Sequence, residues 1–291
     1  MSRHFILFIL YSTLAVCAVN AQQRTVQKAV CVYDFPGAHE GQAAQGMAIH
    51  GEDAFLLNNG GRCRIYNLKT KKRLAEFDLA CAAATTHANS ASFGAGQPPG
   101  AYFPALYVSE CISIAGNRRC FVESITTKGP RLIQTLEVKT GGLEERSNNW
   151  MVDARNKVIY SIASFHRDSE VFAQITKWPL PPLGKKKIIF QKSDILDQFI
   201  VPFPNPSIQD SCIRGDYLYH AFGSRAGPGE TSREIHVINL KTKKTEKIID
   251  INDSCPLEPE GLAFHGDVLL LFCNGTGGLW RIPGVETKGS D

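Results

Sequence analysis

The sequence predicts an all-β, five-bladed β-propeller, and three observations carry that prediction. A phrase recurs, repeats follow at a spacing of roughly 50 residues, and one strand is left over at the N-terminus. Gln45-Gly-Met-Ala-Ile-His-Gly51 and Glu260-Gly-Leu-Ala-Phe-His-Gly266 are nearly identical. Arg64-Ile-Tyr-Asn-Leu-Lys-Thr-Lys-Lys72 matches His236-Val-Ile-Asn-Leu-Lys-Thr-Lys-Lys244 in the same way, a similar distance from an inner-strand phrase.

Each unit resolves into four short β-rich runs separated by turn signals. The first is expected at 46–50, 54–58, 62–68 and 73–79, and the second at 90–94, 105–112, 119–125 and 132–138. The third is expected at 150–153, 157–164, 171–178 and 187–190, and the fourth at 210–214, 217–222, 234–240 and 246–251. The last unit offers only 261–265, 268–273 and 278–282, while the run 26–35 remains unassigned near the start. A radial array leaves no open sheet edge when the first strand of the chain completes the last blade. Five blades of four antiparallel strands then use residues 22–291 as a single domain.

Residues 1–21 read as a secretory signal: Arg3 and His4, an apolar run from Phe5 to Val19, then Asn20-Ala21 as the expected cleavage site. The run is shorter than a membrane-spanning helix requires, and no later segment qualifies. A secreted or periplasmic protein without a transmembrane segment is therefore expected, and a monomer. The 43% hydrophobic and 21% charged composition is that of a globular domain. A formal charge of +4 is too small to argue for nucleic acid, and no nucleic-acid motif is present.

Export permits disulfides among the eight cysteines that follow Cys17. One pairing is suggested by local sequence: Cys111 and Cys120 flank a turn centred on Ala115-Gly116 that would set them opposite each other on a hairpin. The alternative is two buried thiols. Asn252-Asp253-Ser254 and Asn274-Gly275-Thr276 are glycosylation sequons.

In a propeller the residue opening each innermost strand points toward the central channel. Those positions are Gln45, Asn89, Asn148, Gln209 and Glu260, four amides and one acid. Two readings follow. Such a ring satisfies backbone groups and ordered water at a crowded axis, or it binds a polar small molecule, a glycan, a protein group or a calcium ion. Calcium would need Asp210 or Glu258 as further carboxylates. The segments 191–208, with Asp194, Asp197 and Phe203, and 223–233, with Arg225 and Arg233, are expected as long loops on the same face, joined by His87, His166 and Trp150. Lysine-rich outer turns at 69–72, 128–131, 185–187 and 241–244 make the opposite face basic, and Arg214-Gly215-Asp216 reads as a turn.

No GxSxG elbow, HExxH helix, P-loop or Rossmann fingerprint is present. Glycoside hydrolysis needs paired carboxyls, and the axial acids Glu260, Glu258 and Asp210 come from only two neighbouring blades. Ala44-Gln45-Gly46-Met47-Ala48-Ile49, with Asn59-Gly60-Gly61-Arg62 and Ile65-Tyr66-Asn67-Leu68-Lys69-Thr70, resembles the opening blade of propeller-type glutamine cyclotransferases, which turn N-terminal glutamine into pyroglutamate. Asn58 and its neighbours replace the acidic residue which that family carries in the second strand, and no catalytic residue is carried over. The chain also resembles secreted propellers of the NHL and YVTN kind. The expected function is binding of a polar ligand or partner at the channel face. The alternative is a cyclotransferase-like or hydrolase-like enzyme with Glu260 as acid or base.

Overall fold

A computed structural model describes residues 22–35, 43–82, 87–111, 118–204, 207–274 and 278–285. The expected signal at 1–21 and the Ala115-Gly116 turn lie outside the described residues. The chain opens with β1 (Gln23–Val26) and β2 (Val30–Tyr33). The first blade is β3 (Ala44–His50), β4 (Asp53–Asn58), β5 (Arg62–Asn67) and β6 (Lys72–Asp78). The second begins with β7 (Ala88–Phe93), β8 (Leu106–Glu110), β9 (Arg119–Thr126) and β10 (Gly129–Val138). Then come β11 (Asn149–Asp153), β12 (Val158–Arg167), β13 (Glu170–Pro179), β14 (Lys187–Phe190) and β15 (Asp197–Phe203). The fourth blade holds β16 (Ile208–Arg214), β17 (Tyr217–Phe222), β18 (Glu234–Asn239) and β19 (Lys244–Asp250). The chain ends with β20 (Pro259–His265), β21 (Val268–Cys273) and β22 (Leu279–Ile282). Among the described residues the helical elements are two 3-10 turns, Leu143–Arg146 and Lys192–Asp194.

These strands form five sheets, and the innermost strands β3, β7, β11, β16 and β20 neighbour one another in that cyclic order, which closes the ring. β2 pairs with β22 and completes the last blade, so the N-terminal closure expected from the sequence holds. The same segment does more than was expected of it. β1 runs parallel to β19 as a fifth strand of the fourth blade, so one N-terminal stretch ties two blades together. The link between them is held by Ser254, whose hydroxyl donates to Gln27 O at 3.1 Å and accepts from Ala29 N at 2.9 Å.

The third blade departs from expectation. Lys187–Phe190 is not its outer strand; it lies parallel to β10 as a fifth strand of the second blade. The outer strand of the third blade is β15, antiparallel to β13. Pro179, Pro181 and Pro182 lack the N–H groups a hairpin partner would need, so the chain leaves β13 instead of turning back along it. Gln134 then captures the crossing segment, donating to Pro182 O at 3.1 Å and Lys185 O at 3.0 Å. Phe190 anchors it, stacked at 4.9 Å on Trp178. β15 carries Pro202, which an outer strand tolerates because one of its edges needs no hydrogen bonds.

Strand periodicity explains where the core sits. Alternate residues of each blade face opposite neighbours: Leu269 and Leu271 join the apolar cluster shared with the fourth blade, whereas Leu270 and Phe272 join the one shared with the first. Three more such clusters fill the remaining blade interfaces. Among the described residues no helix is long and apolar enough to cross a membrane. The antiparallel order sets the turns between third and fourth strands at the end opposite the start of each inner strand, so the lysine-rich turns at 69–72, 128–131 and 241–244 share one face. Several of these lysines are locally paired, Lys241 with Asp216 at 2.6 Å and Lys243 with Asp197 at 2.7 Å. Arg214-Gly215-Asp216 is the turn between β16 and β17, with Gly215 at φ 58°.

Candidate functional site

Four of the five innermost strands carry a one-residue β-bulge at their start. Pairing skips from Ala44 to Met47 on β3, Ala88 to Ala91 on β7, Ile208 to Ser211 on β16 and Pro259 to Gly261 on β20. The residues inside these bulges are Gln45-Gly46, Asn89-Ser90, Gln209-Asp210 and Glu260. A bulge bends its strand and re-aims a side chain, which here gathers the polar groups at the channel mouth. They are buried there, with exposures between 0% for Asp210 and 8% for Gln209.

β11 is the exception, paired regularly from Asn149 onward. The inward residue of this blade is therefore Asn149, not Asn148. Asn149 is fully buried, accepts from Asn89 Nδ2, and donates to Gln209 O at 2.6 Å and Ser211 Oγ at 3.1 Å. Asn148 is only half-buried, and its amide reaches Ser164 Oγ at 3.4 Å. One position of slippage separates the two residues, and without a bulge nothing in the sequence marks which one turns inward.

One side of the ring is structural. Asp210 Oδ2 accepts the backbone N–H of Leu262 at 2.9 Å and of Met47 at 3.3 Å, while Oδ1 accepts that of Ser211 at 2.6 Å. Burial pushes its carboxyl well above the usual range, and those three N–H bonds pull the other way. Ser90 and Ser109 share a hydrogen bond at 2.5 Å, and Ser109 accepts Trp150 N at 2.8 Å. Inner strands expose an edge at the axis, and these side chains satisfy its N–H groups. Asn89, Asn149 and Asp210 are thus occupied by the scaffold.

Asp210 ties the fourth, fifth and first blades through their backbones, but two polar side chains at the same corner are not used in this way. Gln45 Oε1 is buried without a hydrogen-bond partner among the described residues. Glu260, 3% exposed, has none for its carboxyl group among them either. The two strands touch, since a Cβ on Gly261 would lie 3.0 Å from Gln45 O. Burial, then the neighbouring carboxylates of Glu258 and Asp210, push the Glu260 carboxyl up to about 9, so it is a neutral acid at pH 7. Glu258 is half-buried and accepts from Gln209 Nε2 and Asn274 Nδ2, each at 3.4 Å. This corner can donate through Glu260, accept through Gln45 and move a proton.

Other expected contributors fall elsewhere. Trp150 is fully buried in the core between the second and third blades, beside Phe190. The segment 191–208 is mostly the 3-10 turn and β15, not a long loop. Arg233 is buried and holds Ser224 O and Asn252 O, each at 3.2 Å, which fixes the 223–233 loop from within. Cys120 pairs across the hairpin with Ser109, two positions before Cys111, and both cysteines are free. The expected Cys111–Cys120 bridge is absent because the register sets Cys111 toward Arg118. Cys111 instead joins the channel rim: its backbone N–H donates to His87 O at 3.0 Å, and its thiol is pushed up by burial and by the Glu260 carboxyl. The lone cysteine gave no sequence signal for that role. Among the described residues no group of three or more His, Cys, Asp or Glu is placed to hold a metal. Asp210, one of the two carboxylates of which calcium would need at least one more, is committed to backbone.

No protein-family profile and no curated protein sequence matches this chain. Among solved structures it is similar to the glutaminyl cyclase of Myxococcus xanthus, with 12% sequence identity and a TM-score of 0.50. The match covers 90% of this chain and 97% of that one, and at this identity it speaks to the fold.

Proposed function

We propose that the channel mouth between the fourth, fifth and first blades binds a polar small molecule, or the polar end of a glycan or protein. Glu260 donates a hydrogen bond as a neutral acid, and Gln45 Oε1 accepts one. The observation that carries this reading is the Glu260 carboxyl itself, buried among acids with no partner for it among the described residues. Gln45 Oε1 beside it is buried without a partner among the described residues, where buried polar groups are normally satisfied, and a strongly perturbed buried acid is a candidate for function. The reading includes an exported mature chain beginning after Ala21, which N-terminal sequencing of secreted protein checks.

Thermal unfolding with mono- and oligosaccharides, glutamine-led peptides, and calcium with or without EDTA tests the site. A ligand at 100 times its Kd adds about 2.7 kcal/mol, a rise on the order of 5 to 10 °C for a chain of this size. The shift should disappear in Glu260→Leu, which has no hydrogen-bond donor. A shift unchanged in that variant would move the site elsewhere.

A second reading, an enzyme using Glu260 as general acid, is favoured by the raised Glu260 pKa together with the fold shared with a glutaminyl cyclase. In cyclisation the α-amine attacks the γ-carboxamide carbon, Glu260 protonates the amide nitrogen as its C–N bond breaks so that it leaves as ammonia, and the proton lost by the attacking amine restores the Glu260 acid. Ammonia release from glutamine-led peptides, abolished in Glu260→Gln without loss of fold, would establish it. Binding without turnover would leave the first reading alone.

A further inference from the structure

Two of the eight described thiols meet sulfur to sulfur. Cys255 Sγ and Cys273 Sγ are 3.6 Å apart and both side chains are fully buried. Cys255 lies in the segment between β19 and β20, and Cys273 ends β21, directly opposite Pro259. The two residues therefore flank the open end of the β20–β21 hairpin. Closing 3.6 Å to a bond of about 2.05 Å is within reach of side-chain rotation.

We propose that Cys255 and Cys273 form a disulfide that staples the β20–β21 hairpin shut beside the channel mouth. It sits directly behind the acidic corner: Asn274, next to Cys273, donates its backbone N–H to Glu258 O at 2.9 Å and its amide to the Glu258 carboxylate. Glu258 and Glu260 belong to the strand the staple would hold. The inference stands on the cysteine geometry and not on the binding reading.

The chemistry needs a two-electron acceptor, a low-molecular-weight disulfide such as glutathione disulfide. Before the hairpin packs both thiols are exposed, and either can start the exchange, Cys255 for example. Its thiolate displaces one glutathione thiolate and forms a mixed disulfide. Cys273 then gives up its proton and attacks the Cys255 sulfur, releasing the second glutathione. Two thiols lose two electrons and two protons, and one glutathione disulfide becomes two glutathiones. Because both sulfurs are buried, the exchange belongs to folding, before the hairpin packs. Cys31 is the competitor, an exposed thiol on β2 that both sulfurs sense electrostatically.

The test refolds the full chain from denaturant in a glutathione redox buffer, alkylates remaining thiols and maps the proteolytic peptides by mass spectrometry. The expected product is a linked pair containing Cys255 and Cys273, two hydrogens lighter than the separate peptides and released by reductant. Alkylation of both cysteines, or linkage of either to Cys31, overturns the proposal. A second readout is thermal unfolding. Oxidised protein should unfold roughly 6 to 12 °C above reduced protein, as a loop of this length implies. The variant with both Cys255→Ser and Cys273→Ser should lose the dependence on reductant. Persistence of that dependence in the double variant also overturns it.

Discussion

Asp210 on the innermost strand of the fourth blade accepts the backbone N–H of Leu262 on the fifth, at 2.9 Å. The same oxygen accepts Met47 N from the first blade, and its partner oxygen accepts Ser211 N. One carboxyl group therefore joins three inner strands at the axis. Removing it strands three buried donors, at about 1 to 3 kcal/mol each. Asp210→Ala should lose at least about 3 kcal/mol in urea denaturation, and Asp210→Asn less, because an amide oxygen still accepts. Equal losses in both variants would show that charge, not acceptance, is what the site needs.

The repeated Gln/Glu-Gly phrase has a steric cause at its glycine. A Cβ on Gly46 would lie 2.8 Å from the backbone of Ser90, and one on Gly261 would lie 2.6 Å from Met47 Cβ. Inner strands of adjacent blades approach so closely there that no side chain fits. Gly46→Ala should cost roughly 1 to 3 kcal/mol by overpacking, whereas Gly266, at φ 55° with open space around it, should accept Asn with a much smaller loss. Denaturation midpoints of the two variants compare them directly, and a neutral Gly46→Ala would refute the close approach.

That close approach is also why the fold was legible. Gly46 and Gly261 occupy equivalent crowded positions, so both blades keep the same phrase, and phrase spacing gave blade number and N-terminal closure. The third blade lacks both the glycine and the bulge, and there the reading slipped, by one residue at Asn148 and by a whole strand at Lys187–Phe190. Its prolines disguised β15 as loop, while the capture of Lys187–Phe190 by Gln134 is a long-range contact that no local pattern announces. At the site, sequence identified the polar ring but not its division of labour. Whether an amide holds backbone or faces the channel depends on partners from other blades.

His220 makes acid stability a measurable property. Its Nδ1 meets Ser211 Oγ, its Nε2 is buried without a hydrogen-bond partner among the described residues, and burial with His236 nearby holds its pKa well below 6.5. The folded state keeps the ring neutral while the unfolded chain binds a proton below 6.5. Stability from this group is present above that value and drains away as pH falls from 6.5 toward the folded pKa, by about 1.4 kcal/mol per unit. His220→Gln should flatten the stability profile between pH 6.5 and 5, whatever its effect at neutral pH. A variant that keeps the wild-type slope would place the titration on another group.

Glu260 acts in the opposite direction and on the alkaline side. Its carboxyl is an ordinary 4.5 in the unfolded chain and about 9 in the fold, so the folded state favours the proton. The stability this provides is complete below 4.5 and is lost as pH rises through about 9. Glu260→Gln, which mimics the neutral acid, should match wild type near pH 4 and overtake it as pH climbs, by about 1.4 kcal/mol per unit in the steep range. Glu258→Gln removes a neighbouring charge and should bring the upper end of that range down from about 9. A ligand that accepts the Glu260 proton in a hydrogen bond should lose affinity above about pH 9, where the acid ionises. If Glu260→Gln instead follows wild type at every pH, the carboxyl is already ionised and the neutral-donor reading of the channel mouth fails.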